Sequence, residues 1–227
     1  MSGSDAGRGS RRAEPLDRDR VLAAAVALAD ADGLGALTMR SLAEALGVKP
    51  MSLYRHIEGK EDLLDGMVDL VFGAIELPRV DGRWRDELRR RAVSARTVLA
   101  RHPWALGLLD SRTTPGAATL RHHDAVVGVL VNNGFSLAMT ARAYTIIDAY
   151  VYGFVLQQAA LPFDDAEAGE DATGAVESAM AGLDRERYPY LSAFAAGHLA
   201  RADYDFGEEF EPGLELVLDA VAAFGEG

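Results

Sequence analysis

Leu37-Thr38-Met39-Arg40-Ser41-Leu42-Ala43-Glu44-Ala45-Leu46-Gly47-Val48, followed after four residues by Leu53-Tyr54-Arg55-His56-Ile57, decides how this chain folds. Thr38 suits the N-cap of a helix over Met39 to Leu46, whose Leu42 and Leu46 stand four apart on one face. Gly47 supplies the left-handed stop. Lys49 or Pro50 begins a second short helix, because proline is tolerated in a first turn where its missing N–H would have no partner. That helix is predicted to end near His56.

A longer helix is predicted upstream from Asp17, where Val21, Leu22, Ala25, Val26, Leu28 and Ala29 form one stripe and Asp32-Gly33 ends it. Downstream, Lys60 to about Glu76 carries Leu63, Leu64, Met67, Val68, Val71, Phe72 and Ile75 at three- and four-residue spacings. Leu77 to Gly82, with Pro78, reads as a linker. Further helices are expected at 84–101, 104–110, 115–133, 137–161, 186–200 and 207–224, broken by His102-Pro103, Pro115-Gly116 and Asn132-Asn133-Gly134. Residues 1–15 are too polar to offset their ordering entropy and are expected to be disordered, with Arg8, Arg11 and Arg12 able to lie on DNA. Pro162 to Leu183, rich in Asp, Glu, Ala and Gly, is expected to be a mobile acidic loop. The chain thus reads as all-α, with a small unit over 16–76 and a larger one over 77–227.

Net charge is −12, yet the acidity is not evenly spread. Residues 1–60 hold nine Lys and Arg against eight Asp and Glu, whereas residues 61–227 hold fourteen against twenty-seven. A basic footprint on phosphates is therefore confined to the first unit. The chain has no cysteine, which excludes disulfides and thiolate metal sites. It has no apolar run near the roughly 18 residues needed to span a bilayer. A cytoplasmic protein with no membrane association is expected. There is no Gly-rich phosphate loop, no HExxH and no nucleophile elbow, so no enzyme is expected.

A three-helix unit of this kind can place its third helix in a major groove about 12 Å wide. Leu53 and Ile57 are expected to face inward with Val48, leaving Met51 and Arg55 pointing away and Ser52 and Tyr54 on the flanks. With the turn glycine, the Tyr54-x-His56 pair and Lys60 opening the fourth helix all in order, residues 17–75 resemble the DNA-binding signature of the TetR (tetracycline-repressor) family. The rest resembles the tetracycline-repressor subgroup more loosely, through its length, helical pattern and acidic loop. The resemblance implies that Thr38, Met39 and Arg40 hold a phosphate or reach a base edge. It puts Pro50, Met51 and Ser52 against bases, and Tyr54, His56 and Lys60 on the sugar-phosphate backbone. Lys49 and Arg55 depart from the family pattern and add positive charge to the same face.

In the larger unit, helix 137–161 is apolar nearly all round and is expected to be buried on every face. Leu214, Val217, Leu218, Val221 and Phe224 form a stripe expected to meet a second copy, giving a homodimer that reads a palindromic operator. The resemblance implies a pocket for a small-molecule effector, mostly apolar or aromatic, among the central helices. The candidates to line it are His102, Trp104, His122, Asn132, Tyr144, Asp148, Tyr152 and Gln157. Arg142 or Arg96 is the expected partner of Asp148 if that side chain is only structural. Neither metal nor cofactor is expected, since adjacent His122 and His123 cannot both face one ion from a regular helix. The implied function is a ligand-released repressor. A ligand-responsive activator, and a dimeric small-molecule-binding protein that does not bind DNA, stay open at the level of sequence.

Overall fold

The computed structural model describes residues 15–109, 115–161, 184–199 and 204–225. The tail and acidic loop expected at 1–15 and 162–183 therefore lie outside the described residues, Pro15 aside. Regular structure among the described residues is entirely helical. The elements are α1 (Arg18–Asp32), α2 (Met39–Ala45), α3 (Pro50–Leu53), α4 (Lys60–Gly73), α5 (Trp84–Arg101), α6 (Trp104–Leu109), α7 (Ala117–Asn132), α8 (Leu137–Ala159), α9 (Pro189–Phe194) and α10 (Phe210–Gly225). The chain divides into two compact units, Met1–Met67 and Val68–Gly227, so α4 contributes residues to both.

In the first unit, local chemistry sets the helix ends. The Asp17 carboxylate accepts from the Arg20 N–H at 2.8 Å and caps α1, which Gly33 ends at φ +76°. Thr38 and Ser41 form a reciprocal capping box at the start of α2. At its end the Gly47 N–H donates to Glu44 and the Val48 N–H to Ala43, with Gly47 at φ +66°. This is the paired-carbonyl stop that glycine adopts without a Cβ penalty. Val21, Leu22, Ala25, Val26, Leu42, Leu53, Ile57, Leu63 and Met67 are buried as this unit's core.

The second unit packs α5, α7, α8 and α10 around one core that includes Phe72, Leu88, Leu99, Val129, Ile147, Val151, Phe154 and Phe210. Two expectations fail here. Helix α8 is not buried on every face, because Ile146 is 41% and Leu156 53% exposed. The α10 stripe does not await a second copy either: Leu214, Leu218 and Val221 are buried in the protomer's own core. Helix α10 must cover α8, and a ladder of ion pairs, Arg85 to Glu215 and Asp219 and Arg89 to Glu211 and Glu215, holds it along α5. The apolar side chains that α10 leaves outside are different ones: Leu216 is 72% exposed, with Ala220 and Ala223 on the same face.

Candidate nucleic-acid interface and cavity

Leu53 and Ile57 are buried beneath the short third helix, so α3 turns its other side outward. Met51 is 75% and Tyr54 47% exposed, and Arg40, Lys49, Pro50 and Arg55 are exposed beside them. Thr38 and Lys60 are exposed as well, whereas Met39, Ser52 and His56 are half-buried. The Thr38 oxygen is engaged in capping: it accepts from the Ser41 N–H at 3.0 Å. Regular helix covers only Pro50–Leu53, shorter than expected, and the chain continues as turns in which the His56 and Ile57 N–H groups donate to Leu53. Arg18 secures this end. Its guanidinium donates to the His56 carbonyl at 3.0 Å and to both Asp62 oxygens at 2.6 and 2.9 Å. The Arg18 hydrogen bond, joined by the Glu58 N–H, holds the Asp62 carboxyl below its ordinary pKa. Arg40, Lys49, Arg55 and Lys60 form no ion pair with any described residue. Four cations are thus left facing solvent.

The second unit holds a cavity of about 330 Å³. Phe72 of α4, Leu109 of α6 and Pro115 give it apolar walls, and Thr119 and His123 of α7 close one side. Tyr144, Thr145, Asp148 and Tyr152 line the α8 side, three of them at four-residue spacing along one helix face. Of the eight side chains expected around a pocket, Tyr144, Asp148 and Tyr152 come together here and the other five do not. His102 terminates α5 and sets its ring edge-on to Trp104 at 6.0 Å, while Trp104 packs against the core. The Asn132 amide donates to the Val80 carbonyl, and Gln157 lies on the exposed side of α8. His122 is buried, with its Nδ1 unpartnered among the described residues. Its neighbour His123 is the histidine on the cavity.

Asp148 pairs with Arg91, not with Arg142 or Arg96. Arg91 is 2% exposed and donates to Asp148 at 2.6 Å, while the Tyr152 hydroxyl donates to the other carboxylate oxygen at 3.1 Å. Burial alone would lower the Arg91 pKa, but the Asp148 charge and hydrogen bond raise it, so the guanidinium stays charged. Burial, reinforced by the Asp148 charge, pushes the Tyr144 and Tyr152 phenols well up, and burial pushes His122 and His123 down. Arg91 went unnoticed among three consecutive arginines, although it stands three residues after Leu88 on the buried stripe of α5.

Helix α4 is tied directly to the start of α7. One Asp69 oxygen accepts from the Ala118 N–H at 3.1 Å, and the other accepts from the Thr119 N–H at 3.0 Å and hydroxyl at 3.2 Å. The N-cap residue of α7 is Gly116, which has no side chain to do this, so a carboxylate one element away caps the helix. Thr119 and Phe72 both line the cavity, three residues from His122 and Asp69 respectively. The α4 to α7 contact is therefore one wall of it.

Two family models match the chain: bacterial regulatory proteins of the tetR family over residues 21–67, and the tetracyclin repressor-like C-terminal domain over residues 77–224. An HTH-type transcriptional regulator of Saccharopolyspora erythraea is 34% identical, the match covering 94% of this chain and 88% of that protein. The HTH-type transcriptional repressor DrrR1 of Streptomyces coeruleorubidus is also 34% identical, over 94% of this chain and 80% of its own length. Among solved structures, the Streptomyces coelicolor TetR family protein ActR in complex with actinorhodin superimposes with a TM-score of 0.71 at 25% identity, covering 94% of this chain and all of that one.

Proposed function

The chain belongs to the TetR family of bacterial transcriptional regulators, and from that premise we propose that it is a homodimeric repressor released from a palindromic operator by a small molecule held in the second unit's cavity. Arg40, Lys49, Pro50, Met51, Ser52, Tyr54, Arg55, His56 and Lys60, with Thr38 and Met39 at the start of α2, form its operator face. The four unpaired cations among them supply the phosphate attraction. Met51, the most exposed large apolar side chain of α3, is suited to a thymine methyl. With DNA as its partner the protein works inside the cell.

Two half-sites require two copies. The exposed Ile146, Ala149 and Leu156 of α8, with half-buried Gly153 between them, and Leu216, Ala220 and Ala223 on α10, support an isologous four-helix contact. Small residues on both stripes allow the helices to approach closely.

The observation that carries the sensing half of this reading is the sharing of α4. Its start bears Lys60, and its end bears Asp69 and Phe72 against the cavity. An effector entering between Phe72 and Thr119 strains the Asp69 cap and biases the helix that also carries Lys60. The test is fluorescence anisotropy of the full chain on DNA from upstream of its own gene, with Arg40→Ala and Tyr54→Ala as controls. Tight binding that weakens steeply with salt and is lost in both variants supports the reading. Absence of specific binding to that region and to any sequence selected from random DNA refutes it.

A further inference from the structure

The polar wall of the cavity offers both donors and acceptors: the Tyr144, Thr145 and His123 side chains form no hydrogen bond with any described residue, whereas the Asp148 carboxylate can only accept. The Tyr152 hydrogen goes to Asp148 and the Thr119 hydroxyl hydrogen to Asp69. Asp148 accepts one bond on each oxygen, from Arg91 and from Tyr152, where an ionised carboxylate has capacity for about four. Its side chain is 14% exposed, on the cavity. A nearly buried acceptor with unfilled capacity calls for a donor from whatever occupies the space.

The charge balance limits what that donor is. Asp148 is the only charged side chain among the described lining residues, since burial keeps His123 neutral and both tyrosines protonated. Its countercharge, Arg91, sits beneath the wall and is already paired. An anionic ligand would meet Asp148 with no free cation among the described lining residues, and a cationic one would leave an unbalanced positive charge beside Arg91. Phe72, Tyr144, Tyr152 and the His123 ring, which meets Tyr144 edge-on at 5.5 Å, offer faces and edges for a flat apolar body.

We propose that the effector is an uncharged, planar aromatic molecule bearing a hydroxyl group that donates to Asp148. This rests on the cavity being the effector site. Arg91 acts as a positioning residue: its hydrogen bond aims the Asp148 carboxylate, and it touches the ligand only through it.

The experiment uses four probes on one skeleton, 9-methylanthracene, 9-anthracenemethanol, 9-anthracenecarboxylate and 9-(aminomethyl)anthracene, titrated into the full chain at pH 7 with ligand fluorescence as the readout. The alcohol is expected to bind about tenfold tighter than the methyl compound, as one hydrogen bond to a charged acceptor allows, and the two ions at least tenfold more weakly than it. Asp148→Asn leaves Arg91 buried without a countercharge, so the double substitution Arg91→Gln with Asp148→Asn accompanies it. In the double variant the methyl compound should bind as before while the preference for the alcohol falls below about threefold. Equal binding of alcohol and methyl compound, tightest binding of either ion, or a preference that survives the double substitution overturns the proposal. If the skeleton binds without preference yet releases operator DNA, the ligand class is wrong and the sensor reading stands. If no probe binds, the ligand class is wrong and the cavity's role as sensor falls with it.

Discussion

Asp69 and Gly116 form a pair whose coupling can be measured without any ligand. The Asp69 carboxylate caps α7 through two backbone N–H groups and the Thr119 hydroxyl. Losing such a cap costs about 1 kcal/mol, and losing a negative charge at a helix N-terminus up to about 1 kcal/mol more, so Asp69→Ala should destabilise the protein by about 2 kcal/mol. Gly116 sits at φ −75° and ψ 173°, a conformation open to any residue. Replacing a glycine there by alanine should by itself stabilise by about 0.5 kcal/mol, by narrowing the unfolded ensemble. A Cβ on Gly116, however, would lie 2.3 Å from Asp69 Cγ and Oδ1 and 2.8 Å from its Cβ. The carboxylate must then leave its cap. Gly116→Ala should therefore destabilise the natural protein by about 1.5 kcal/mol yet be close to neutral in the Asp69→Ala variant, where only the residual Cβ contact at 2.8 Å offsets the gain, a coupling of about 1.5 kcal/mol. Urea unfolding of the four proteins, followed by helical circular dichroism and by Trp fluorescence, measures the cycle. If Gly116→Ala has the same effect in both backgrounds, Asp69 does not cap α7 and the proposed route from cavity to α4 loses its connection.

Glu87 is buried and accepts from the Arg79 N–H, the Arg79 side chain and Arg90, which hold its carboxyl down at about 2. Because the folded pKa lies below the ordinary 4.5, this contribution is present above pH 4.5 and is lost as pH falls toward 2. With both arginines partly in water it amounts to about 2 kcal/mol, and Glu87→Gln should flatten that limb of the acid melting curve. Arg18→Ala removes the guanidinium that holds the His56 carbonyl and Asp62, and should weaken operator binding about fivefold in anisotropy titrations while costing about 1 kcal/mol of stability. Equal affinity would show that the end of α3 needs no such support. Leu216→Asp alters a side chain 72% exposed in the protomer, so it should leave the protomer fold intact and yet shift the protein to monomers in sedimentation velocity. A variant that stays dimeric would exclude α10 from the interface.

Most of the fold was legible because helix ends are local events. Caps at Asp17 and Thr38, the positive-φ glycines 33 and 47, and three- and four-residue apolar spacing act within a few residues of one another. The same locality made the outward side of α3 readable, since Leu53 and Ile57 must turn inward once α3 forms, and Met51 and Arg55 must turn out. The cavity was legible only on α8, where Tyr144, Asp148 and Tyr152 share a face whatever packs against them.

Tertiary structure decided the remainder. Whether His122 or His123 faces the cavity depends on the rotation of α7 against α4, which its own sequence leaves open. That Asp148 takes Arg91 depends on α5 and α8 meeting across a gap of 57 residues. The α10 stripe reads equally well as a dimer contact or a core face, and only the position of α8 beside it makes Leu214 and Leu218 interior. Backbone hydrogen bonds and steric limits act between neighbours in the chain and are written in their order. Burial, ion pairing and the shape of an empty space arise between segments far apart in sequence, and depend on how the helices pack once they have formed.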